Sequence, residues 1–172
     1  MTFWDHLEDL RKCIIRVAAA FVCVAVVLFF FKDFLFDSVI LAPSKSDFYL
    51  YRLMGLDFSL SLVNIEVAAQ FMIHMKVTFV CALILIFPYL VFEVWRFVAP
   101  ALYENEKRAV RGAFAFASVL FYLGVAVGYL VIFPLMLNFF AGYQISPDVP
   151  NTFSLSSYIS LLTSTVITFG IV

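Results

Sequence analysis

The sequence predicts an all-α, polytopic membrane helix bundle with four transmembrane helices. Two observations carry the class. Of 172 residues, 65 % are hydrophobic and 13 % charged, with a mean hydropathy of +1.04, where a soluble domain averages about 45–50 % apolar and about 25 % charged. The apolar residues also fall in long uncharged runs without period-2 alternation, so helices rather than barrel strands satisfy the backbone in lipid. With 22 Phe among these residues, an ordinary cytosolic domain and a disordered chain are excluded. A formal net charge of −1 offers no phosphate-attracting field, which excludes a nucleic-acid binder.

Residues 1–12 read as a cytoplasmic amphipathic lead-in. Thr2 and Asp5 have the spacing of a capping box. Phe3, Leu7, Leu10 and Ile14 share one helical face, and Asp5, Glu8, Asp9, Lys12 and Arg16 the opposite one. The uncharged run after Arg16 predicts a first span at 13–31. An external loop over 32–76 follows; its length exceeds the usual connection, so it should carry structure or function. The run between Lys76 and Glu93 predicts a second span at 77–95, with Pro88 marking a bend. A cytoplasmic loop over 93–111 contains Pro100, suited to the first turn of a new helix. No charge occurs from Gly112 to Pro147, so the third helix, at 112–140, should tilt or protrude, bending at Pro134. The cluster Ser146-Pro147-Asp148-Val149-Pro150-Asn151 breaks the chain within an external loop at 141–152. A fourth span covers 153–172. It ends without an interfacial anchor, and the expectation is that a longer protein continues beyond it.

Orientation follows the bases. Seven lie on the N-terminal side of the bilayer and four on the other, which places the N-terminus in the cytoplasm. The first residues mix acids and bases and are no cleaved signal peptide. Cys13, Cys23 and Cys81 show no metal or disulfide spacing and should pack among helices.

Six acids (Asp5, Glu8, Asp9, Glu93, Glu104, Glu106) stand on the side that should be basic. They either support helix ends and i,i+4 pairs or form an acidic docking surface, since carboxylates hold guanidinium groups bidentately. His74 reads as a packing residue, and Glu66 either caps what lies below it or faces water. Ser157, Ser160, Ser164 and Thr168 form one hydroxyl stripe, expected to face other helices or a wet cavity. Gly124-x-x-x-Gly128 suits close helix packing. No phosphate loop, nucleophile–base pair or metal set is visible, so no enzyme and no cofactor is expected. A small-solute or ion transporter subunit using the hydroxyl stripe is the alternative to an acidic docking receptor; the acidic face favours the receptor, and the lack of charge in mid-span disfavours the transporter.

Taken in order, the segments resemble one family. His6-Leu7-Glu8-Asp9-Leu10-Arg11 resembles the start of the TatC family, the receptor subunit of the twin-arginine protein translocase. Phe87-Pro88, then Val94-Trp95-Arg96-Phe97-Val98-Ala99-Pro100-Ala101-Leu102-Tyr103 and Glu106-Lys107-Arg108, resemble its first cytoplasmic loop. Leu41-Ala42-Pro43, Phe121-Tyr122-Leu123-Gly124, Phe133-Pro134-Leu135 and Ser157-Tyr158-Ile159-Ser160 resemble its external-loop proline and its third and fourth helices. The resemblance implies a six-helix, multi-pass protein of the plasma (inner) membrane that supports proton-motive-force-driven export of folded proteins. It implies binding of twin-arginine signal peptides through Asp9 and Glu106, with Arg11, Glu8 and Phe97 beside them. The family usually has Glu at the first of these positions, and Asp9 is one methylene shorter. Structural or transport-related roles are implied for Pro43, Glu66, Lys76, Pro88, Pro100 and Pro134. The implied partners are TatA-type and TatB-type single-span subunits, the lipid bilayer and further copies of the chain.

Overall fold

Thr2 opens the first helix. Its backbone N–H donates to Asp5 Oδ2 at 3.0 Å, and Asp5 N–H donates back to Thr2 Oγ1 at 3.4 Å. This reciprocal cap starts α1 (Phe3–Phe30). The computed structural model describes residues 2–45, 48–55, 61–143, 146–148 and 152–172. Helix α1 is unbroken for 28 residues, about 42 Å at 1.5 Å per residue. The lead-in and first span, expected as a surface segment followed by a crossing, therefore form one helix. Neither Gly nor Pro interrupts them, and Leu, Arg, Lys and Glu favour helix.

The chain then turns through α2 (Lys32–Phe34), a wide π-type turn at Leu35–Ile40, a tight turn at Ala42–Ser44 and α3 (Tyr49–Met54). Gly55 ends α3 with φ +68°, the left-handed C-terminal geometry that glycine accepts without strain. Strand β1 (Leu62–Val63) pairs in parallel with β2 (Phe153–Ser154), Leu62 opposite Phe153. Helix α4 (Ala69–Val98) passes through Pro88 and ends in a tight turn at Ala99–Ala101 that contains Pro100. Helix α5 (Glu104–Val127) widens into a π-type turn at Gly128–Ile132 and continues as α6 (Phe133–Gly142). Pro134 explains the widening: lacking an N–H, it cannot donate to Leu130, and the hydrogen-bond ladder shifts just before it. Ser154 caps α7 (Leu155–Ile171) by accepting from Ser157 N–H at 3.2 Å.

Among the described residues, three helical runs are long and apolar enough to cross a membrane: Phe3–Phe30, Ala69–Ala101 and Glu104–Gly142. Helix α7 is apolar and shorter, at 17 residues. The third run has 39 residues, about 58 Å of helix against a hydrocarbon core of about 30 Å. The break expected at 146–151 is described only to Asp148, whose N–H donates to Ser146 Oγ at 3.3 Å; residues 149–151 lie outside the described residues.

Two compact units divide the chain. One consists of Met1–Phe30 and Thr78–Leu120, the other of Phe31–Val77 and Phe121–Val172. In the second unit, Tyr51, Phe133, Leu137 and Ile159 are almost fully buried. Side-chain hydroxyls donate to backbone carbonyls at the end of the wide turn and in the tight turn after it. Tyr158 donates to Ile40 O at 2.7 Å, Tyr51 to Pro43 O at 2.8 Å, Ser44 to Leu41 O at 2.6 Å, and Tyr129 to Val39 O. Burial pushes the Tyr51 phenol up to about 12, so it remains a donor at any physiological pH. Pro43 and Pro134 are buried in this unit.

Gly124 and Gly128 set the α5–α7 approach. A Cβ at Gly124 would overlap the Phe169 carbonyl oxygen and lie 2.9 Å from its carbon. One at Gly128 would sit 3.1 Å from Phe169 Cβ. The hydroxyl stripe does not take part in this packing. Ser157, Ser160, Ser164 and Thr168 are exposed, whereas Tyr158, Leu162, Thr165 and Val166 are buried. The larger apolar groups took the packed face, and Thr163 satisfies its hydroxyl on the helix's own Ile159 carbonyl at 2.8 Å. Cys13 is buried, but Cys23 is exposed on α1, so not all three cysteines pack among helices.

Candidate functional site

In the first unit α1 and α4 run antiparallel. His6 stacks on Phe97 with ring centroids 4.3 Å apart, and Phe21 meets Phe79 edge-on at 4.9 Å. Between them, Cys13 Sγ–H donates to the Glu93 carbonyl at 3.6 Å, and Arg16 Nη1 donates to Glu93 Oε2 at 3.3 Å. His6, Asp9, Cys13 and Arg16 are spaced i, i+3, i+7 and i+10, one stripe of a helix. They are also the residues from Thr2 to Arg16 that are half-buried or buried; the rest are exposed. Phe3, Trp4, Leu7, Ile14 and Ile15 are left on the outer side, as suits a helix whose solvent is lipid or interface.

Asp9 therefore stands, half-buried, on the face of α1 that packs on α4. It makes no hydrogen bond or ion pair among the described residues, so its carboxylate is uncommitted. Glu8 points away and pairs with Lys12 at 2.9 Å, and Arg11 is exposed. Phe97 is half-buried under His6. Trp95 approaches Phe114 at 6.1 Å, tying the end of α4 to α5. Glu106 sits in the first turn of α5, and its Oε2 accepts from Tyr103 N–H at 3.4 Å. That bond satisfies a helix-end donor and engages one oxygen of an exposed side chain. Glu104 pairs with Lys107 at 2.6 Å. Such exposed pairs contribute about 0–1 kcal/mol.

Among the remaining expected residues, Lys76 is exposed and donates to Ser160 Oγ at 3.4 Å. Glu66 is exposed in the turn before α4, its carbonyl accepting from Ala69 N–H at 3.3 Å. Pro88 and Pro100 are exposed. Among the described residues no cluster of His, Cys, Asp or Glu could hold a metal.

Sequence reasoning counted Glu93 among the acids but missed what it does. It is 3 % exposed, the most buried charged side chain described, and Arg16 neutralises it. The signal was positional. Arg16 immediately precedes the first uncharged run and Glu93 immediately follows the second, so an antiparallel hairpin brings both to one depth.

These features define a multi-pass helical membrane protein with carboxylates gathered at one end of a helix pair. The profile of the family described as Sec-independent protein translocase protein (TatC) matches residues 5–172. The chain belongs to the TatC family. It is 34 % identical to the Sec-independent protein translocase protein TatC of Blattabacterium sp. subsp. Periplaneta americana, over 99 % of this chain and 70 % of that protein. Against TatC of Escherichia coli K12 it is 34 % identical over 96 % of this chain and 60 % of the relative. A crystal structure of the twin arginine translocase receptor TatC superposes with a TM-score of 0.74 at 29 % identity, covering 96 % of this chain and 69 % of the other. The chain thus spans about 60–70 % of the length of these relatives.

Proposed function

We propose that this chain acts in the twin-arginine translocase as the subunit that receives twin-arginine signal peptides at the cytoplasmic face of the plasma membrane. The observation that carries the reading is the α1–α4 stripe. It holds the half-buried carboxylate of Asp9, one turn from the His6 that stacks on Phe97, and the connection after α4 carries the exposed carboxylate of Glu106. Two carboxylates on separate segments suit two adjacent guanidinium groups, each a planar fork with several donors. Glu8 and Arg11, exposed on the same segment, would meet residues flanking the motif. Single-span TatA-type and TatB-type subunits, further copies of the chain and drive by the proton-motive force belong to the same reading. It is supported by membership in the family and by the relatives' names.

The direct test is a photo-crosslinking twin-arginine signal peptide presented to membranes carrying the chain, beside its twin-lysine version. Lys offers a point charge instead of a fork, so twin-lysine crosslinking is expected to fall about tenfold or more. Equal crosslinking of both peptides would sink the reading.

The orientation has its own test. A single cysteine at position 148, with Cys13, Cys23 and Cys81 replaced by Ser, is expected to label from outside intact cells. Labelling only after the cytoplasmic side is opened would reverse the orientation inferred from the bases.

A further inference from the structure

We propose that Arg16 and Glu93 are a positioning pair: their bond sets the register of the stripe that carries His6, stacked on Phe97, and Asp9, and through it the affinity for a cationic peptide motif. The proposal rests on the reading just given. Glu93 is 3 % exposed, and burying a carboxylate is costly unless it is paired and hydrogen-bonded. Arg16, 77 positions away in sequence, is the cation bonded to it among the described residues. Cys13 fixes the Glu93 backbone from the turn before Arg16.

The pair lies where it can control the recognition end. Asp9 precedes Arg16 by seven residues on one stripe, two turns or about 10.5 Å. Phe97 follows Glu93 by four, one turn along the same face of α4. Both helices are continuous here, so the register fixed at 16 and 93 carries to 9 and 97. Cys13 is the single buried residue of α1, so Arg16–Glu93 is the one ion pair that supports the ring contacts His6–Phe97 and Phe21–Phe79 in holding α1 on α4 among the described residues. Removing the cation strands a buried charge, which costs far more than the pair itself contributes. The stripe then opens or slips to let water reach Glu93, and Asp9 moves with it.

The experiment compares Arg16→Gln, Glu93→Gln and the double variant with Asp9→Asn, in membranes at matched protein level. One readout is crosslinking to the twin-arginine peptide. The other is the rate of disulfide formation between cysteines placed at His6 and Phe97 in a background with Cys13, Cys23 and Cys81 replaced by Ser, which reports helix register without any peptide. Arg16→Gln is expected to lower crosslinking about tenfold and slow the disulfide. The double variant, an amide pair without buried charge, is expected to restore both. A mere loss of positive charge near the peptide would not be rescued by removing Glu93. If Arg16→Gln leaves both readouts unchanged while Asp9→Asn loses crosslinking, the positioning proposal falls and the receptor reading stands. If Asp9→Asn crosslinks normally, the receptor reading falls, and the disulfide rate alone decides whether the pair sets register. Should Arg16→Gln fail to accumulate, the double variant decides: normal level with slow disulfide formation overturns the proposal, and normal values of both support it.

Discussion

Gly124→Val is expected to reduce the membrane level of the protein several-fold, whereas Gly112→Ala leaves it unchanged. At Gly124 any Cβ overlaps the Phe169 carbonyl oxygen and approaches Gly170 Cα to 3.1 Å. Both obstacles are backbone, so no rotamer change relieves them. Helix propensity pulls the other way, because replacing a helix-interior Gly generally gains up to about 1 kcal/mol. The clash wins: overpacking costs about 1–3 kcal/mol even where side chains can yield, and here α7 itself must move. Gly170 faces the same seam, where a Cβ would meet Val125 Cγ2 at 2.9 Å and Phe121 Cε2 at 3.1 Å, so a displaced α7 has no slack to take up. Losing about 1–2 kcal/mol changes abundance several-fold. At Gly112 a Cβ meets nothing within 4 Å, which isolates packing from propensity. Quantitative immunoblotting of membranes checks both, and a normal level of Gly124→Val would show that α5 and α7 are not packed through this glycine.

The spans were legible because uncharged runs in a chain this apolar have few places to go. Their ends were less so. Propensity carried α1 back to Phe3 and α4 back to Ala69, past the charges that bounded the runs. The glycine pair was readable from its four-residue spacing, but its partner Phe169 was not. The stripe of His6, Asp9, Cys13 and Arg16 was hidden by its chemistry. A helical wheel groups Asp9 and Arg16 with the polar face, and only the Glu93 carboxylate on another helix turns part of that face inward. The hydroxyl stripe was legible as a stripe but not in its surroundings: its residues are exposed, with Ser157 bonded to Ser154 Oγ at 2.8 Å and Ser160 accepting from Lys76 at 3.4 Å, partners that helical spacing does not name. The tyrosine donors around residues 39–43 depend on a wide turn that no local pattern announces.

Asp9→Asn with Glu106→Gln is expected to abolish most crosslinking of a twin-arginine peptide while leaving the protein at its normal level. Each substitution is close to isosteric, and the structure explains why each should be silent in folding. Asp9 makes no hydrogen bond or ion pair among the described residues, so neutralising it breaks none. Glu106 caps Tyr103 N–H through one oxygen, and a Gln carbonyl accepts the same bond. Binding is different. A hydrogen bond to a charged group contributes about 1.5–3 kcal/mol, so each single variant should weaken the complex about tenfold or more. If each acid holds its own guanidinium, the two losses add toward about a hundredfold; if both share one, the double variant loses little more than the worse single. The alternative role, support of helix ends, predicts the reverse pattern: Glu106→Ala, which loses the cap, would lower the protein level, and the peptide would still bind whatever protein remained. Crosslinking and protein level measured together for the singles, the double and Glu106→Ala separate the two. Normal crosslinking by the double variant at normal level would remove both acids from the recognition site.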